Sequence, residues 1–141
     1  MSNIVNGNVK LRNLEDLKNF RGIKKIKGDL YITNCPKLSS INDLEEVTGN
    51  LNIRKCIILE NLGKIEKVGK TLNIDECLQL KHIKELRSVG NNLVLEGCSN
   101  LLELNKLKEV GGKIYLFESG ITENYIQNSK KDLLHKCTWE K

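Results

Sequence analysis

The stretch Gly49-Asn50-Leu51-Asn52-Ile53-Arg54-Lys55-Cys56-Ile57-Ile58-Leu59 decides the fold, because most of its apolar residues recur at one fixed distance along the chain. Leu51 belongs to the column Val9, Leu30, Leu51, Leu72, Leu93 and Ile114, whose members lie 21 residues apart without insertion or deletion. Ile53 belongs to a second column, Leu11, Ile32, Ile53, Ile74, Leu95 and Leu116. Just upstream, Val5, Ile26, Val47, Val68, Val89 and Val110 make a third. Downstream, columns starting at Leu38, Ile41 and Leu44 repeat as far as Leu101, Leu104 and Leu107. A fixed period of this length is the signature of stacked repeats, each unable to bury its apolar face alone.

Each unit opens with apolar residues at alternate positions, the period of a half-buried strand. The remainder spaces them by three, as in Leu38, Ile41, Leu44 and Val47, which suits 3₁₀ turns or an extended return better than an α-helix. The expectation is a β-rich repeat solenoid with one parallel sheet of about six short strands. Glycine marks the corners at Gly7, Gly28, Gly49 and Gly112, and one place earlier at Gly69, Gly90 and Gly111. Its tolerance of positive φ accounts for the preference, and the corner is expected to slide back by one residue at Lys70 and Asn91. A single domain over 1–141 is expected, divided into an N-terminal cap (1–8), the solenoid (9–120) and a helical C-terminal cap (121–141). In the last, Thr122 opens a helix whose face carries Tyr125, Ile126, Leu133, Leu134 and Cys137.

Cys35, Cys56, Cys77 and Cys98 fall on one more column. Zinc needs converging ligands, whereas ladder residues spread along an axis at about 4.8 Å per turn. Disulfides between neighbouring turns are compatible with Cα spacing. The favoured reading is a ladder of reduced, buried thiols acting as small apolar fillers.

The unit from Gly49 to Leu59 resembles a leucine-rich repeat, with Cys56 at that family's cysteine-or-asparagine position. The Gly-x-Leu-x-Ile opening and the closing Leu-x-x-Val are similar to the repeats of receptor L-domains. The resemblance covers residues 5 to 121 and implies a right-handed solenoid with a parallel sheet on one side, commonly used to bind proteins. It implies no catalytic residue.

Composition agrees with an ordered core: Leu, Ile and Val supply 43 of 141 residues. Alanine is absent while Lys (19) and Asn (17) abound, which reads as coding bias. Apolar runs are too short for a membrane span, and Met1 to Lys10 lacks the apolar stretch of a secretory signal, so an intracellular protein is expected. A search for chemistry yields little. His82 lies on the return surface, His135 stands beside Cys137, and the acidic pairs Glu45-Glu46 and Asp75-Glu76 are adjacent residues that point apart. A non-enzymatic protein without cofactor, metal or small-molecule substrate is expected.

The strand residues between buried columns point outward. One column is Lys10, Tyr31, Asn52, Asn73, Val94 and Tyr115. It is flanked by Arg12, Thr33, Arg54, Asp75, Glu96 and Phe117, and by Asn8, Asp29, Asn50, Thr71, Asn92 and Lys113. Tyr31, Asn52, Arg54, Asn73, Asp75, Glu96, Tyr115 and Phe117 are the candidate protein-binding residues, polarised from arginine to carboxylate along the array. Five strand gaps of about 4.8 Å and three columns give a projection of about 340 Å², below the ~800 Å² per partner of a standard interface. Adjacent loops must contribute, and Ile57, Ile58 and Leu78 either extend the patch or, as expected, pack beneath a neighbouring loop.

The net charge of +5 resides wholly in residues 1–70, with 13 basic against 8 acidic. Lys10, Arg12, Lys24 and Lys25 therefore support an alternative nucleic-acid-binding reading. The favoured function is capture of another protein, by stoichiometric masking that inhibits an enzyme or defence complex, or as an adaptor or scaffold.

Overall fold

The computed structural model describes residues 3–141. Each repeat contributes two short strands on either side of a corner. They are β1 (Ile4–Asn6) and β2 (Val9–Arg12), β3 (Lys25–Lys27) and β4 (Leu30–Thr33), β5 (Glu46–Val47) and β6 (Leu51–Arg54). Then come β7 (Lys67–Val68) and β8 (Leu72–Asp75), β9 (Ser88–Val89) and β10 (Leu93–Val94), β11 (Glu109–Val110) and β12 (Ile114–Tyr115). The odd strands form one parallel sheet in the order β1-β3-β5-β7-β9-β11. The even strands form a second, β13-β12-β10-β8-β6-β4-β2, whose last-made strand β13 (Cys137–Thr138) comes from the C-terminal tail. Register follows the repeat: Leu30 pairs with Leu51, Leu51 with Leu72 and Leu72 with Leu93. The chain is a parallel β-solenoid of six turns.

Two sheets stand where the sequence pattern led to one. The closing column Ile26, Val47, Val68 and Val89 is itself extended and paired from turn to turn. β-branched residues suit that surface, but only two residues of most turns are extended there, too few to display an alternation. The spacing by three in the return reflects isolated i→i+3 turns. Leu38 N donates to Cys35 O and Leu44 N to Ile41 O, at 3.2 and 3.1 Å, and the same pair recurs in the next three turns. Residues three apart eclipse one another in such turns, so both point inward.

The core is a continuous stack in which Leu30, Ile32, Leu51, Ile53, Leu72 and Ile74 are all 0% exposed. Glycine at the corner serves close approach. Gly90 has no positive φ, yet a Cβ there would overlap the Gly69 carbonyl oxygen of the turn before. The corner does not slide: Lys70 N bonds Gly49 O and Asn91 N bonds Lys70 O, both at 3.0 Å and in unbroken register.

Positive φ occurs at the corner in Gly7 and Gly28, as expected, and also in a separate column that the apolar pattern does not reveal. Asn13, Asn34, Lys55 and Glu76, each directly after its strand, and Gly97 and Glu118, at the same repeat position beyond the shorter β10 and β12, have φ of 56, 52, 55, 55, 79 and 57°. This left-handed residue turns the chain so that the next side chain, such as Cys35 or Cys56, enters the core.

The ends differ. Within the expected N-terminal cap, residues 1 and 2 lie outside the described residues, and Ile4–Asn6 belong to the first turn as β1. In the tail Thr122 caps helix α1 (Glu123–Ser129), its side chain accepting from Tyr125 N. The helix stops at Lys130, and a separate 3₁₀ helix follows over Lys131–Lys136, so the expected face is split between two elements. Ile126 and Leu133 still reach the core. Lys130 Nζ donates to Asn105 O and Leu107 O at 2.5 and 2.9 Å, and Lys136 Nζ to Val110 O at 2.5 Å. The ammonium groups thereby satisfy carbonyls of the last turn that no further turn receives. No helix among the described residues is long and apolar enough to cross a membrane.

Candidate functional site

The even-numbered sheet presents the outward columns as one surface. Tyr31 on β4 is half-buried, its hydroxyl donating to Asp29 Oδ2 at 3.3 Å, and Lys10 Nζ stands 5.8 Å from its ring centroid. Asn52 and Asn73 are register partners in the centre, both half-buried. Asn73 Oδ1 is buried and accepts no hydrogen bond among the described residues. Tyr115 lies on β12 beside Thr138 of the tail, and Lys141 Nζ stands 5.8 Å from the Phe117 ring.

The expected charge gradient is modified at its midpoint. Arg54 Nε donates to Asp75 Oδ2 at 3.2 Å, so these two charges form a pair. Lys10 and Arg12 remain at one end and Glu96 at the other. An open depression of about 560 Å³ lies over β2, β4 and β6, lined by Lys10, Arg12, Tyr31, Asn52 and Arg54. Glu96 and Phe117 lie beyond β10 and β12. In those turns Cys98 N bonds Leu95 O and Ser119 N bonds Leu116 O, which ends the strands early.

The flanking column is a structural seam. Asp29 N donates to Asn8 Oδ1 at 2.8 Å, Asn50 N to Asp29 Oδ1 at 2.7 Å, and Thr71 N to Asn50 Oδ1 at 3.0 Å. Asn92 N then donates to Thr71 Oγ1 at 3.4 Å and Lys113 N to Asn92 Oδ1 at 2.9 Å. Each short side chain accepts from the backbone of the next turn. In the return, Asn61 Oδ1 accepts both Ser40 Oγ at 2.6 Å and Gly63 N at 2.8 Å. Asn8, Asn50, Asn61 and Asn92 therefore have a structural use, which the composition alone does not suggest. The signal lay in the column itself, which holds only Asn, Asp or Thr until its final member, Lys113.

The loops enlarge the surface. Ile57, Ile58 and Leu78 are 55, 41 and 50% exposed. They do not pack beneath a neighbour as expected, because the left-handed residue before each cysteine turns the cysteine inward and the next residues outward. Ile57 and Leu78 share a column in adjacent turns, three residues beyond Arg54 and Asp75 along the chain.

Cys35, Cys56, Cys77 and Cys98 are buried and free. Cys56 Sγ donates to Arg54 O and Cys77 Sγ to Asp75 O, both at 3.6 Å. Burial pushes the Cys56 thiol up to about 11 and those of Cys77 and Cys98 up to about 12. Such thiols are poor nucleophiles. Of the other residues weighed for chemistry, His82 and His135 are exposed, and Cys137 Sγ donates to Leu133 O at 3.4 Å.

The basic residues of the alternative reading are divided. Lys10 and Arg12 are on β2, whereas Lys24 and Lys25 lie at β3 of the other sheet, with Lys25 Nζ 3.3 Å from Glu46 Oε1.

Fold and face together define a parallel β-solenoid with one broad decorated sheet. Comparison with protein-family models, curated proteins and solved structures gives no match.

Proposed function

We propose that this chain is an intracellular protein-binding module of leucine-rich-repeat type that captures its partner on the even-numbered sheet. The observation that carries this reading is the exposure of Ile57 and Leu78, each three residues past the end of a strand in the sheet whose face bears Tyr31, Arg54, Asp75, Tyr115 and Phe117. Exposed apolar side chains grouped beside aromatic and arginine residues favour an interface over a solvated sheet. The loops also add area to a face that alone is too small for a tight complex. The mode is stoichiometric masking: the rigid face covers a functional surface of an enzyme or defence complex and blocks it. An adaptor would use the same residues.

The test is affinity capture from lysate of the native cell after nuclease treatment. A single stoichiometric protein should be retained by the unmodified chain and by Lys67→Glu, on the opposite sheet. It should be lost with Tyr115→Ala and with Ile57→Asp. Equal retention by all four removes the strand face from the account. Retention abolished by nuclease favours the basic first half and nucleic acid.

A further inference from the structure

We propose that the outer edge of β2 is a strand-addition site for an extended acidic segment of a partner protein, one that alternates Asp or Glu with apolar residues. The inference rests on the reading of the chain as a protein-binding module, but uses an edge separate from the centre of the strand face.

β2 is the terminal strand of its sheet. Val9 N donates to Asp29 O at 2.8 Å and Asn13 N to Thr33 O at 3.0 Å, so the odd positions of this strand face β4. A strand residue directs its N–H and C=O to the same side, and its neighbour directs them to the other. Lys10 and Arg12 therefore turn their backbone donors and acceptors outward, where no described residue of this sheet pairs with them. The opposite end is treated differently, since β13 pairs with β12 and lysine ammonium groups cover the carbonyls nearby.

The side chains agree with an incomplete layer. Val9 and Leu11 are half-buried, although Leu30 and Ile32, next in their columns, are 0% exposed. An eighth strand would lay alternate side chains over Val9 and Leu11 on the core side, which calls for apolar residues. Its other side chains would lie beside exposed Lys10 and Arg12, which calls for carboxylates. The surroundings reinforce this, as residues 1–28 contain 7 basic and 2 acidic residues. One of those acids, Asp16, already lies 3.7 Å from Lys37. A second copy of this chain fits worse, because β2 against β2 would oppose lysine and arginine to themselves.

The probe is the labelled synthetic peptide Glu-Val-Glu-Thr-Glu-Val-Glu-Thr, with a counterpart carrying Lys in place of Glu. The acidic peptide should bind, the basic one should not, and amide exchange at Lys10 and Arg12 should slow on binding. Lys10→Pro removes the outward N–H without touching the bonds to β4, a position at which an edge strand accepts proline. It should weaken binding about tenfold beyond the charge control Lys10→Gln, since a peptide carbonyl is left without its donor. Equal affinity of these two variants overturns the proposal. So does binding of the acidic peptide with unchanged exchange at Lys10 and Arg12, a measurement on the unmodified protein that stands even if the proline variant misfolds. Sedimentation of the free protein as a dimer that Lys10→Pro dissociates would assign the edge to a second copy and also overturn it. Tyr115→Ala should leave peptide binding intact, so loss of the strand face and loss of this edge are separable results.

Discussion

Arg54 and Asp75 stand 21 positions apart and meet through Nε and Oδ2 at 3.2 Å in the middle of the strand face. Their side chains are 47 and 32% exposed, so solvent and salt weaken the attraction, and the pair holds little of the fold together. Its effect is on the surface, where it holds a guanidinium and a carboxylate together at the centre of the strand face.

Arg54→Glu should accordingly change unfolding free energy by less than about 1 kcal/mol in urea titration. The same variant should weaken partner capture by about tenfold or more, as for an interface residue placed near the centre of a patch. A loss of several kcal/mol would instead make the pair a structural element.

The buried thiols give a pH dependence with a definite sign. An unfolded thiol ionises near 9, whereas Cys56, Cys77 and Cys98 hold their protons to about 11, 12 and 12 in the fold. Below pH 9 both states are protonated and the contribution to stability is complete. Between pH 9 and 12 the unfolded chain sheds protons that the fold retains, so stability falls by up to about 1.4 kcal/mol per pH unit for each thiol. Melting followed from pH 8 to pH 11 should show that decline, and Cys77→Ala should make it shallower. A flat melting temperature over this window would mean that the thiols ionise without unfolding. Reducing agent should leave the melting temperature unchanged, since the cysteines are free.

Replacing Asn50 by Leu strands the Thr71 N–H that its Oδ1 accepts at 3.0 Å. The expected loss is about 1–3 kcal/mol, the penalty for an orphaned backbone donor. Asn50→Asp should retain most of the stability, as Asp29 performs the same task one turn earlier. Equal destabilisation by both would show that the seam needs the amide nitrogen as well.

The left-handed column offers gains. Lys55 and Glu76 occupy φ of 55° with full side chains, a conformation costing about 1–2 kcal/mol for an L-residue. Lys55→Gly should stabilise the protein by about 0.5–1 kcal/mol after the entropy of glycine in the unfolded chain is subtracted. Gly90→Ala runs the other way, because the added methyl overlaps the Gly69 carbonyl oxygen; a loss of about 1–3 kcal/mol is expected. Urea titration of the two variants checks both signs.

What could be read from the chain beforehand followed from side-chain hydrophobicity. Leu51, Ile53 and Leu59 announce their columns because burial tolerates few substitutes at those positions. Backbone roles are harder to see. Lys55 and Glu76 carry no mark of left-handed geometry, although Asn13, Asn34 and Gly97 in the same column do. The second sheet escaped notice because strands such as Glu46–Val47 and Lys67–Val68 have only two residues each. On the candidate face, columns identified Tyr31, Arg54, Asp75 and Tyr115, and equal spacing already implied that Arg54 and Asp75 are neighbours. The exposure of Ile57 and Leu78 depended on a turn geometry that hydrophobicity does not encode.

The tail has a consequence for how the chain is made. Turns leave the ribosome in order, and each can stack on its predecessor as soon as it emerges. The residues that close the array, from Thr122 through Thr138, are translated only after all six turns. Until then every nascent form ends in a raw strand able to template another chain, a hazard that passes when Lys130 and Lys136 settle on the last carbonyls. Ribosome stalling before Thr122 would thus release a folded but adhesive fragment, whereas stalling after Thr138 would not.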